Sequence, residues 1–247
     1  MGTRALELTG VRKSFNGRDD VLRGVDLSVD GGELLVILGR SGSGKSTLLR
    51  VLADLESPDE GTVDWVGLDG ARARIGMVFQ QPLLLPWLSV HENIRLGGRF
   101  AANREGFDEA FAGELLEHFD LGHLAHSMPD ELSGGQAQRI AIIRAAAVRP
   151  QALLLDEPFS ALDPAVRADL QDWLVTLSGE LGCTTILVTH DVDEALRLGD
   201  RIVLLGDQGA FRREWRCAGV GFDRDMVRGD ILDEYRDAAR RPLAEVS

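Results

Sequence analysis

Short apolar runs that end in polar residues recur along the chain and predict the strands of a largely parallel sheet. Such runs lack alternating polar positions, which is typical of strands covered on both faces. The clearest example is the run Leu-Leu-Val-Ile-Leu at residues 34–38. The predicted strands cover residues 34–38, 76–79, 152–155, 185–189 and 202–205.

Segments in which apolar residues have helical spacing alternate with these strands. The clearest is residues 164–181, because Asp163 is a favoured N-cap residue and Pro164 suits the first turn of a helix. Strands that alternate with helices predict an α/β layer with right-handed crossovers. The predicted helices cover residues 45–55, 135–148, 164–181 and 191–198.

Three other stretches depart from this pattern. Residues 4–33 show short alternating segments and an Asn16-Gly17 turn signal, which predict an antiparallel β lobe. Strand signals vanish over residues 84–147, where the spacing of apolar residues at 107–121 predicts a helix. Near the end of the chain, residues 230–241 predict one charged helix.

The length and composition are those of a globular protein that can bury a substantial core. The chain has 247 residues, of which 44% are apolar, enough for one domain with an inserted subdomain. We predict a core of residues 1–83 and 148–206, an inserted helical subdomain of residues 84–147 and a C-terminal extension of residues 207–247.

Charge and hydropathy exclude several classes of protein. The net charge of −13 argues against a nonspecific nucleic-acid or anionic-lipid surface, because both need clustered Lys or Arg. No apolar run approaches the roughly 18 residues that span a bilayer, and residues 1–25 lack the apolar segment of a signal peptide. Cys183 and Cys217 match no metal or redox spacing, which indicates reduced thiols. We therefore expect a cytosolic protein that binds no nucleic acid.

A complete phosphate-binding loop follows the first predicted parallel strand. Its glycines allow backbone N–H groups to approach phosphate oxygens next to the N-terminus of a helix. Lys45, one of only two lysines in the chain, supplies a compact ammonium for the β- and γ-phosphates, where the wide guanidinium of arginine is no substitute. The hydroxyl of Ser46 would be a ligand for Mg²⁺. The predicted phosphate-binding residues are Gly39, Arg40, Ser41, Gly42, Ser43, Gly44, Lys45, Ser46 and Thr47.

A glycine-rich turn that matches by chance is the alternative to a phosphate site. The context argues against it, because a buried strand enters the loop and an apolar helical face leaves it, formed by Leu48, Val51, Leu52 and Leu55. Strand, loop and helix therefore occur in the order that the motif requires. Nucleotide binding is expected, with kinases, GTPases and motor ATPases still open.

Polar side chains follow two more of the predicted strands, where ligands meet open α/β sheets. After residues 152–155, Asp156 would support Mg²⁺ and Glu157 would orient or deprotonate water, although such a pair elsewhere is usually only solvated. His190 follows residues 185–189 and could reach the γ-phosphate and the water. A lone histidine is more often structural, but the strand end and the adjacent helix cap Asp191 favour the functional role.

The segment Leu-Ser-Gly-Gly-Gln at residues 132–136 precedes a predicted Ala-rich helix. A hydroxyl and glycine N–H groups at a helix N-terminus can cap an anion, whereas a plain helix start needs only Ser133. Between a phosphate loop and a Leu-Leu-Leu-Asp-Glu strand, this segment resembles that of the nucleotide-binding subunits of ABC transporters. The resemblance covers residues 5–206, and a P-loop kinase or GTPase would have no use for residues 132–136.

The resemblance implies further roles for individual residues. Phe15 matches the aromatic residue that stacks on adenine, with a core phenylalanine as the alternative. Gln80 matches the glutamine that senses Mg²⁺ and water, His190 the switch histidine, and residues 160–163 the loop that communicates across a pair of subunits. The implied catalytic residues are Lys45, Gln80, Glu157 and His190. The implied metal ligands are Ser46, Gln80 and Asp156. The implied nucleotide-binding residues include Ser133, Gly134, Gly135, Gln136 and Asp163, of which Ser133, Gly135 and Gln136 would contact the γ-phosphate held by the other subunit.

Two positions depart from the family pattern. Asp54 stands where glycine is usual, and Ala137 stands where a larger polar residue is usual. Because neither position carries a catalytic role, the departures do not put activity in doubt.

The family implies an α/β fold, a P-loop NTPase (RecA-like) parallel-sheet core with an N-terminal antiparallel β lobe and an inserted helical subdomain. It also implies hydrolysis of ATP with Mg²⁺ at sites shared by a homodimer or another paired ATPase subunit. Further implied partners are two transmembrane permease subunits and, indirectly, an external substrate-binding protein. The implied location is the cytoplasmic face of the bacterial inner membrane.

Residues 80–97, together with the phosphate-loop residues 39–45 and residues 191–195, are similar to the nitrate, aliphatic sulfonate and taurine branch of bacterial importers. Within residues 80–97, Leu84, Leu85 and Trp87 lie among prolines and cannot form a regular helix. These side chains either belong to the core of the small lobe or form a groove for a short helix of a membrane partner, with Trp87 as an anchor. The alternative function is a soluble ABC ATPase of DNA repair, translation or cluster assembly, for which a long coiled-coil insertion, tandem cassettes or basic surfaces are expected.

Overall fold

The computed structural model describes residues 3–15, 20–66, 73–103, 107–160, 162–217 and 222–240. The chain divides into two compact units. The first unit comprises residues 1–64 and 186–247, and the second comprises residues 65–185.

Strands and helices alternate through the middle of the chain, as the hydrophobic pattern predicts. The strands are β1 (Arg4–Lys13), β2 (Leu22–Asp30), β3 (Leu34–Leu38), β4 (Glu60–Trp65), β5 (Ile75–Val78), β6 (Ala152–Asp156), β7 (Thr184–Thr189), β8 (Arg201–Leu205) and β9 (Phe211–Arg216). The α-helices are α1 (Lys45–Leu52), α2 (Val90–Arg95), α3 (Glu109–His118), α4 (Gly134–Ala146), α5 (Pro164–Leu181), α6 (Val192–Leu198) and α7 (Arg224–Arg240).

The first unit contains two groups of strands. In the N-terminal lobe the strand order is β2-β1-β4, and β1 pairs with β2 antiparallel, with Leu8 opposite Leu27 and Val11 opposite Val25. In the second group the order is β7-β3-β8-β9, with β3 parallel to β8 and β9 antiparallel to β8. Every residue of β3 and β8 is buried, which explains their unbroken apolar runs.

The second unit holds the parallel pair β5 and β6 together with helices α2 to α5. Over the described residues 84–103 and 107–147 there are helices and turns but no strand, as predicted. In α3, Leu115 and Leu116 are buried as the spacing predicts, whereas Phe111 is only half-buried. Its ring lies 4.0 Å from the Arg149 guanidinium, which covers the exposed face.

The C-terminal extension differs from the prediction of a single helix at residues 230–241. It contains β9, whose Phe-Arg-Arg-Glu-Trp-Arg sequence carries no apolar run, and α7 begins at Arg224. Along α7, Ile231 is fully buried and Val227 is nearly so. Strand β4 was also not predicted, because its Glu-Gly-Thr-Val-Asp-Trp sequence is largely exposed. The Asn16-Gly17 turn signal lies outside the described residues.

The unusual Asp54 occupies a left-handed backbone position after α1, with φ of 58°. Glycine adopts this conformation without strain, and aspartate tolerates it better than most residues with a side chain. We expect Asp54→Gly to retain stability and Asp54→Val to lower the free energy of unfolding by about 1–2 kcal/mol. Urea unfolding would measure both effects, with Asp64→Val in the extended strand β4 as the control. Equal unfolding midpoints for the two valine variants would contradict the expectation.

The two cysteines are free thiols with little reactivity expected in the folded protein. Burial raises the pKa of Cys183, and burial together with the Asp200 carboxylate raises the pKa of Cys217 to about 11. A raised pKa keeps the thiol protonated near pH 8, and only the thiolate is a good nucleophile. We expect iodoacetamide near pH 8 to label Cys217 about a hundredfold more slowly than an ordinary cysteine, as followed by mass spectrometry. Urea should abolish the difference, and fast labelling of the folded protein would contradict the prediction.

Within the parts of the chain that the structure describes, no helix is both long enough and apolar enough to cross a membrane.

Candidate nucleotide-binding site

The phosphate-binding loop occupies the turn between β3 and α1 in the first unit. Its glycines are required by close packing as well as by conformation. A Cβ atom on Gly39 would lie 2.7 Å from both the carbonyl oxygen of Leu205 and Oγ of Ser43. Gly44, the N-cap of α1, has φ of 100°, and a Cβ there would lie 2.8 Å from the carbonyl oxygen of Val21. At these two positions the loop therefore has no room for a side chain, which allows its backbone to approach a ligand closely.

Lys45 spans this loop from the first residue of α1. Its Nζ atom donates hydrogen bonds to the carbonyl oxygens of Gly39 at 2.9 Å and Arg40 at 3.0 Å, and the residue is only 4% exposed. These bonds hold the ammonium at the mouth of the loop, where a phosphate group can replace or share them. Lys45 is thus placed as a compact positive charge for a nucleotide phosphate.

Buried polar atoms of the loop fit an anionic ligand. Oγ of Ser43 is buried and has no hydrogen-bond partner among the described residues. A buried hydroxyl without a hydrogen-bond partner is unfavourable, and a bound phosphate oxygen would supply the missing acceptor. Ser46 and Thr47 follow in the first turn of α1 and are half-buried.

Arg40, predicted among the phosphate-binding residues, directs its side chain elsewhere. Its guanidinium lies 3.4 Å from Asp207 in the turn between β8 and β9. The main chain of Arg40 contacts Lys45, because its carbonyl oxygen accepts a hydrogen bond from the Lys45 ammonium. A contact between phosphate and this guanidinium remains a prediction that requires the side chain to leave Asp207.

Phe15 lies just after β1 with 38% of its surface exposed, so it is not a core residue. The Lys13 Nζ atom lies 5.4 Å from the centre of the Phe15 ring and donates to the Ser57 carbonyl at 2.8 Å and to Asp59 at 3.1 Å. The backbone N–H of Ser14 also donates to Asp59 at 2.7 Å, and this bond, with the Lys13 contact, lowers the pKa of Asp59. The chain is therefore fixed where it presents an exposed aromatic face, which fits the predicted stacking role.

His190 is exposed at the end of β7, also in the first unit. The preceding residue, Thr189, accepts a hydrogen bond on its carbonyl oxygen from the Gly39 N–H at 3.2 Å. Asp191 caps α6 as predicted, since its carboxylate accepts from the N–H groups of Asp193 and Glu194. His190 therefore follows a residue that is bonded directly to the start of the phosphate loop.

In the second unit, Gln80 and Glu157 follow neighbouring parallel strands. Val78 of β5 lies opposite Leu155 of β6, so the residues after both strands lie at one edge. Nε2 of Gln80 donates to Oγ of Ser160 at 3.1 Å, and that hydroxyl donates to the carbonyl oxygen of Glu157 at 3.1 Å. This Gln80–Ser160–Glu157 chain of hydrogen bonds joins two of the predicted catalytic residues.

Asp156 and Glu157 have different environments despite being adjacent. Asp156 ends β6 and is 6% exposed, whereas Glu157 is half-buried and has φ of 44°. A left-handed conformation at a residue other than glycine stores strain and is found mostly at functional sites. The two adjacent carboxylates therefore differ in burial and in backbone conformation, which is compatible with the different roles predicted for them.

The Ser133–Gln136 segment begins α4 with a capping box. Oγ of Ser133 accepts from the Gln136 N–H at 3.3 Å, and Oε1 of Gln136 accepts from the Ser133 N–H at 2.9 Å. Gly135 is buried, and a Cβ there would clash with Val166 of α5. Gly134 is exposed, and a Cβ there would meet nothing closer than 3.9 Å. Packing therefore explains the second glycine, whereas the first leaves backbone open to a ligand from outside.

The remaining predicted residues lie in the loop before α5. Asp163 is exposed and caps α5, accepting from the N–H groups of Ala165 at 3.2 Å and Val166 at 3.1 Å. Ser160 serves in the hydrogen-bond chain to Gln80 described above, a role that the sequence does not indicate. Ala161 lies outside the described residues.

The residues present fit a magnesium ion that arrives with phosphate. Among the described residues, no cluster of three or more His, Cys, Asp or Glu side chains could hold a metal by itself. Mg²⁺ usually takes one or two protein oxygens, several waters and substrate phosphates. A serine hydroxyl such as Ser46 and a buried carboxylate such as Asp156 are ligands of that kind.

Comparisons with known proteins point to one family. A family model described as ABC transporter matches residues 22–160. The aliphatic sulfonates import ATP-binding protein SsuB 1 of Pseudomonas savastanoi pv. phaseolicola is 46% identical over 214 residues, which cover 87% of this chain and 86% of that protein. The sulfate/thiosulfate import ATP-binding protein CysA of Yersinia pseudotuberculosis is 44% identical over 210 residues, covering 81% of this chain. The chain spans only 58% of the length of that CysA relative.

Solved structures show the same fold. The ATP-binding cassette MJ1267 in its ADP conformation matches with a TM-score of 0.79 at 27% identity, over 95% of this chain and 99% of that chain. The dimeric bacterial ABC transporter cassette MJ0796 matches with a TM-score of 0.72 at 35% identity, over 87% of this chain and 99% of that chain. The predicted P-loop NTPase fold is thereby confirmed, and the chain belongs to the ABC transporter family as an ATP-binding cassette.

Proposed function

We propose that this chain is the ATP-hydrolysing subunit of a bacterial importer for a small anion such as a sulfonate, taurine, nitrate or sulfate. The observation that carries the proposal is the Gln80–Ser160–Glu157 chain of hydrogen bonds. It connects the turn of the proposed catalytic carboxylate to the start of residues 80–88, which hold an exposed tryptophan. A change in the conformation of the Glu157 turn would therefore be transmitted to residues 80–88, which form a surface suited to a partner.

In the proposed reaction, the loop N–H groups and Lys45 bind the β- and γ-phosphates. Glu157 orients the attacking water and accepts its proton, and His190 contacts the γ-phosphate. Ser46, Asp156 and Gln80 would hold Mg²⁺, which supplies charge neutralisation at the phosphate oxygens. Phe15 would stack on adenine.

We propose that two copies bind two ATP molecules between them. The Ser133 hydroxyl and the exposed N-terminus of α4 at Gly134 would contact the γ-phosphate held by the other copy, with Gly135, Gln136 and Asp163 near it. Binding of ATP would favour the closed pair, and loss of the γ-phosphate would open it. The dimeric state of the related cassette MJ0796 supports this arrangement.

Residues 82–88 form the proposed docking surface for a permease subunit. The Arg144 guanidinium donates to the carbonyl oxygens of Leu83 at 2.9 Å and Pro82 at 3.0 Å. The fully buried Asn93 accepts from the Leu85 N–H at 2.8 Å and donates to the Leu88 carbonyl at 2.9 Å. This framework leaves Trp87 69% exposed and Leu83 52% exposed, which argues against a core role for Trp87.

The proposed location is the cytoplasmic face of the bacterial inner membrane. There the chain would pair with two permease subunits, and an external binding protein would reach it only through them. The names of the SsuB and CysA relatives support anions that contain sulfur as the transported class.

The test is co-expression with a pair of permease subunits of an importer for sulfonates or sulfate, followed by reconstitution into liposomes. We expect ATP hydrolysis that rises when a binding protein loaded with a sulfonate or sulfate is added. Trp87→Ala should weaken co-purification and this stimulation, whereas Phe100→Ala, which removes another exposed aromatic (59%), should not. Activity that no membrane subunit and no anion changes would instead favour a soluble ABC ATPase.

A further inference from the structure

The C-terminal helix α7 is tied to α6 by a two-pronged ion pair. Nε of Arg228 lies 2.8 Å from Oδ1 of Asp193, and the second guanidinium nitrogen lies 3.3 Å from Oδ2. The contact lowers the pKa of Asp193 and raises that of Arg228. Val227 and Ile231, in the same two turns of α7 as Arg228, are buried at 7% and 0% exposure, so this part of the helix is packed down while the arginine itself is exposed.

Helix α7 also makes ion pairs with β9. Arg213 of β9 lies 2.7 Å from Asp230 and 3.7 Å from Glu234, both on α7. The buried side chains of Val227 and Ile231 set which face of α7 packs inward, and the ion pairs with Arg213 are compatible with that placement. Arg228 therefore reaches Asp193 from a defined position, as a bidentate guanidinium requires.

The turn that Arg228 contacts is the turn that carries His190. Oγ1 of Thr189 donates to the Glu194 carboxylate at 2.6 Å and accepts from the Asp191 N–H at 3.0 Å. The Asp191 carboxylate accepts from the Asp193 N–H at 2.8 Å. His190 thus lies between two residues that are both bonded to the first turn of α6. Of the bonds just named, those of Arg228 alone come from outside residues 189–194.

We propose that Arg228 is a positioning residue for His190, acting through Asp193 and the first turn of α6. This inference rests on the proposed role of His190 in hydrolysis. It gives the C-terminal extension a specific task, because α7 would fix the direction from which His190 approaches the γ-phosphate. Loss of the pair would leave the nucleotide bound while the histidine samples other orientations.

The exposure of the pair decides which quantity should change. An ion pair in solvent contributes little to the stability of a protein. A misplacement of a group that touches the reacting phosphate is far more costly to the rate of the chemical step. Removal of the pair should therefore lower kcat and leave ATP affinity and thermal stability nearly unchanged.

The test compares Arg228→Glu with Arg216→Glu in the full-length chain, with Arg228→Lys as the variant that keeps the positive charge. Arg216 is an exposed arginine of β9, so the control makes the same charge change within the same extension. We expect Arg228→Glu to lower kcat about tenfold, with KM and ATP affinity within about twofold of the unchanged protein. Arg228→Lys keeps the charge but loses the two-nitrogen contact, so its kcat should fall between those of Arg228→Glu and the unchanged protein, whereas Arg216→Glu should retain full activity.

Proton NMR of the five histidine rings reports the environment of His190 directly. It therefore distinguishes a positioning role of Arg228 from a general effect on the fold. His190→Ala identifies the ring signals of His190, and we expect these signals to shift or broaden in Arg228→Glu but not in Arg216→Glu. Unmoved His190 signals, or a kcat equal to that of Arg216→Glu, would overturn the positioning role. Full turnover in His190→Ala would instead overturn the proposed function of the histidine itself.

Discussion

Replacing Glu157 by glutamine is expected to lower ATP turnover by about a thousandfold, because the amide cannot accept the proton of the attacking water. ATP should still bind, since the change leaves the phosphate-binding residues intact. The glutamine has nearly the same shape and should keep the backbone conformation at φ of 44°. The bond from Ser160 is made to the carbonyl oxygen of residue 157, so it survives the substitution. Phosphate release measures the loss, and filter binding measures the retained affinity.

The same variant should hold two copies together. Unhydrolysed ATP with Mg²⁺ would keep the γ-phosphate contacts of both sites, so Glu157→Gln should elute as a pair in size-exclusion chromatography when ATP is present and as single chains with ADP. The matched control is Glu114→Gln, since Glu114 is exposed on α3, far along the sequence from any proposed site residue. Phosphate release at the rate of the control would contradict the assignment of Glu157.

The core of the fold follows from local sequence signals. Strand β3 and helix α5 begin and end where the pattern predicts. The signals are local in both cases, because β3 is a run of five apolar residues and α5 starts with an Asp-Pro pair. Strands β4 and β9 could not be predicted in this way. Their charged residues face solvent, and what makes them strands is pairing with a neighbour: β4 pairs with β1, which is distant in sequence, and β9 pairs with β8, which precedes it by a short turn.

The candidate site was predictable as a set of residues but not as an arrangement. Motif spacing identifies Lys45, Glu157 and Ser133, since each type of residue has a stated chemical use. It does not reveal that Ser160 joins Gln80 to the turn of Glu157, because that bond depends on the register of β5 and β6. Nor does it reveal Arg228, since the charge pattern of α7 alone does not name Asp193 as its partner.

Replacing Lys45 by arginine is expected to lower ATP affinity about a hundredfold, because a charge-assisted bond to phosphate contributes about 3 kcal/mol and the guanidinium cannot make it from this position. The Lys45 ammonium lies between the Gly39 and Arg40 carbonyl oxygens, at 2.9 and 3.0 Å, and only 4% of the residue is exposed to solvent. A planar fork is too wide for two acceptors on one turn of the loop. Isothermal titration with ATP and Mg²⁺ measures the change.

The other lysine of the chain provides the matched control. Lys13→Arg makes the same substitution beside Phe15, where an arginine can keep both the pairing with Asp59 and the contact with the aromatic ring. We expect its ATP affinity to stay within about threefold of the unchanged protein, since no charge is lost there. If the two variants bind ATP equally well, the compact shape of the ammonium is not what the phosphate loop requires. If only Lys45→Arg fails, shape rather than charge decides binding, because both variants carry the same net charge.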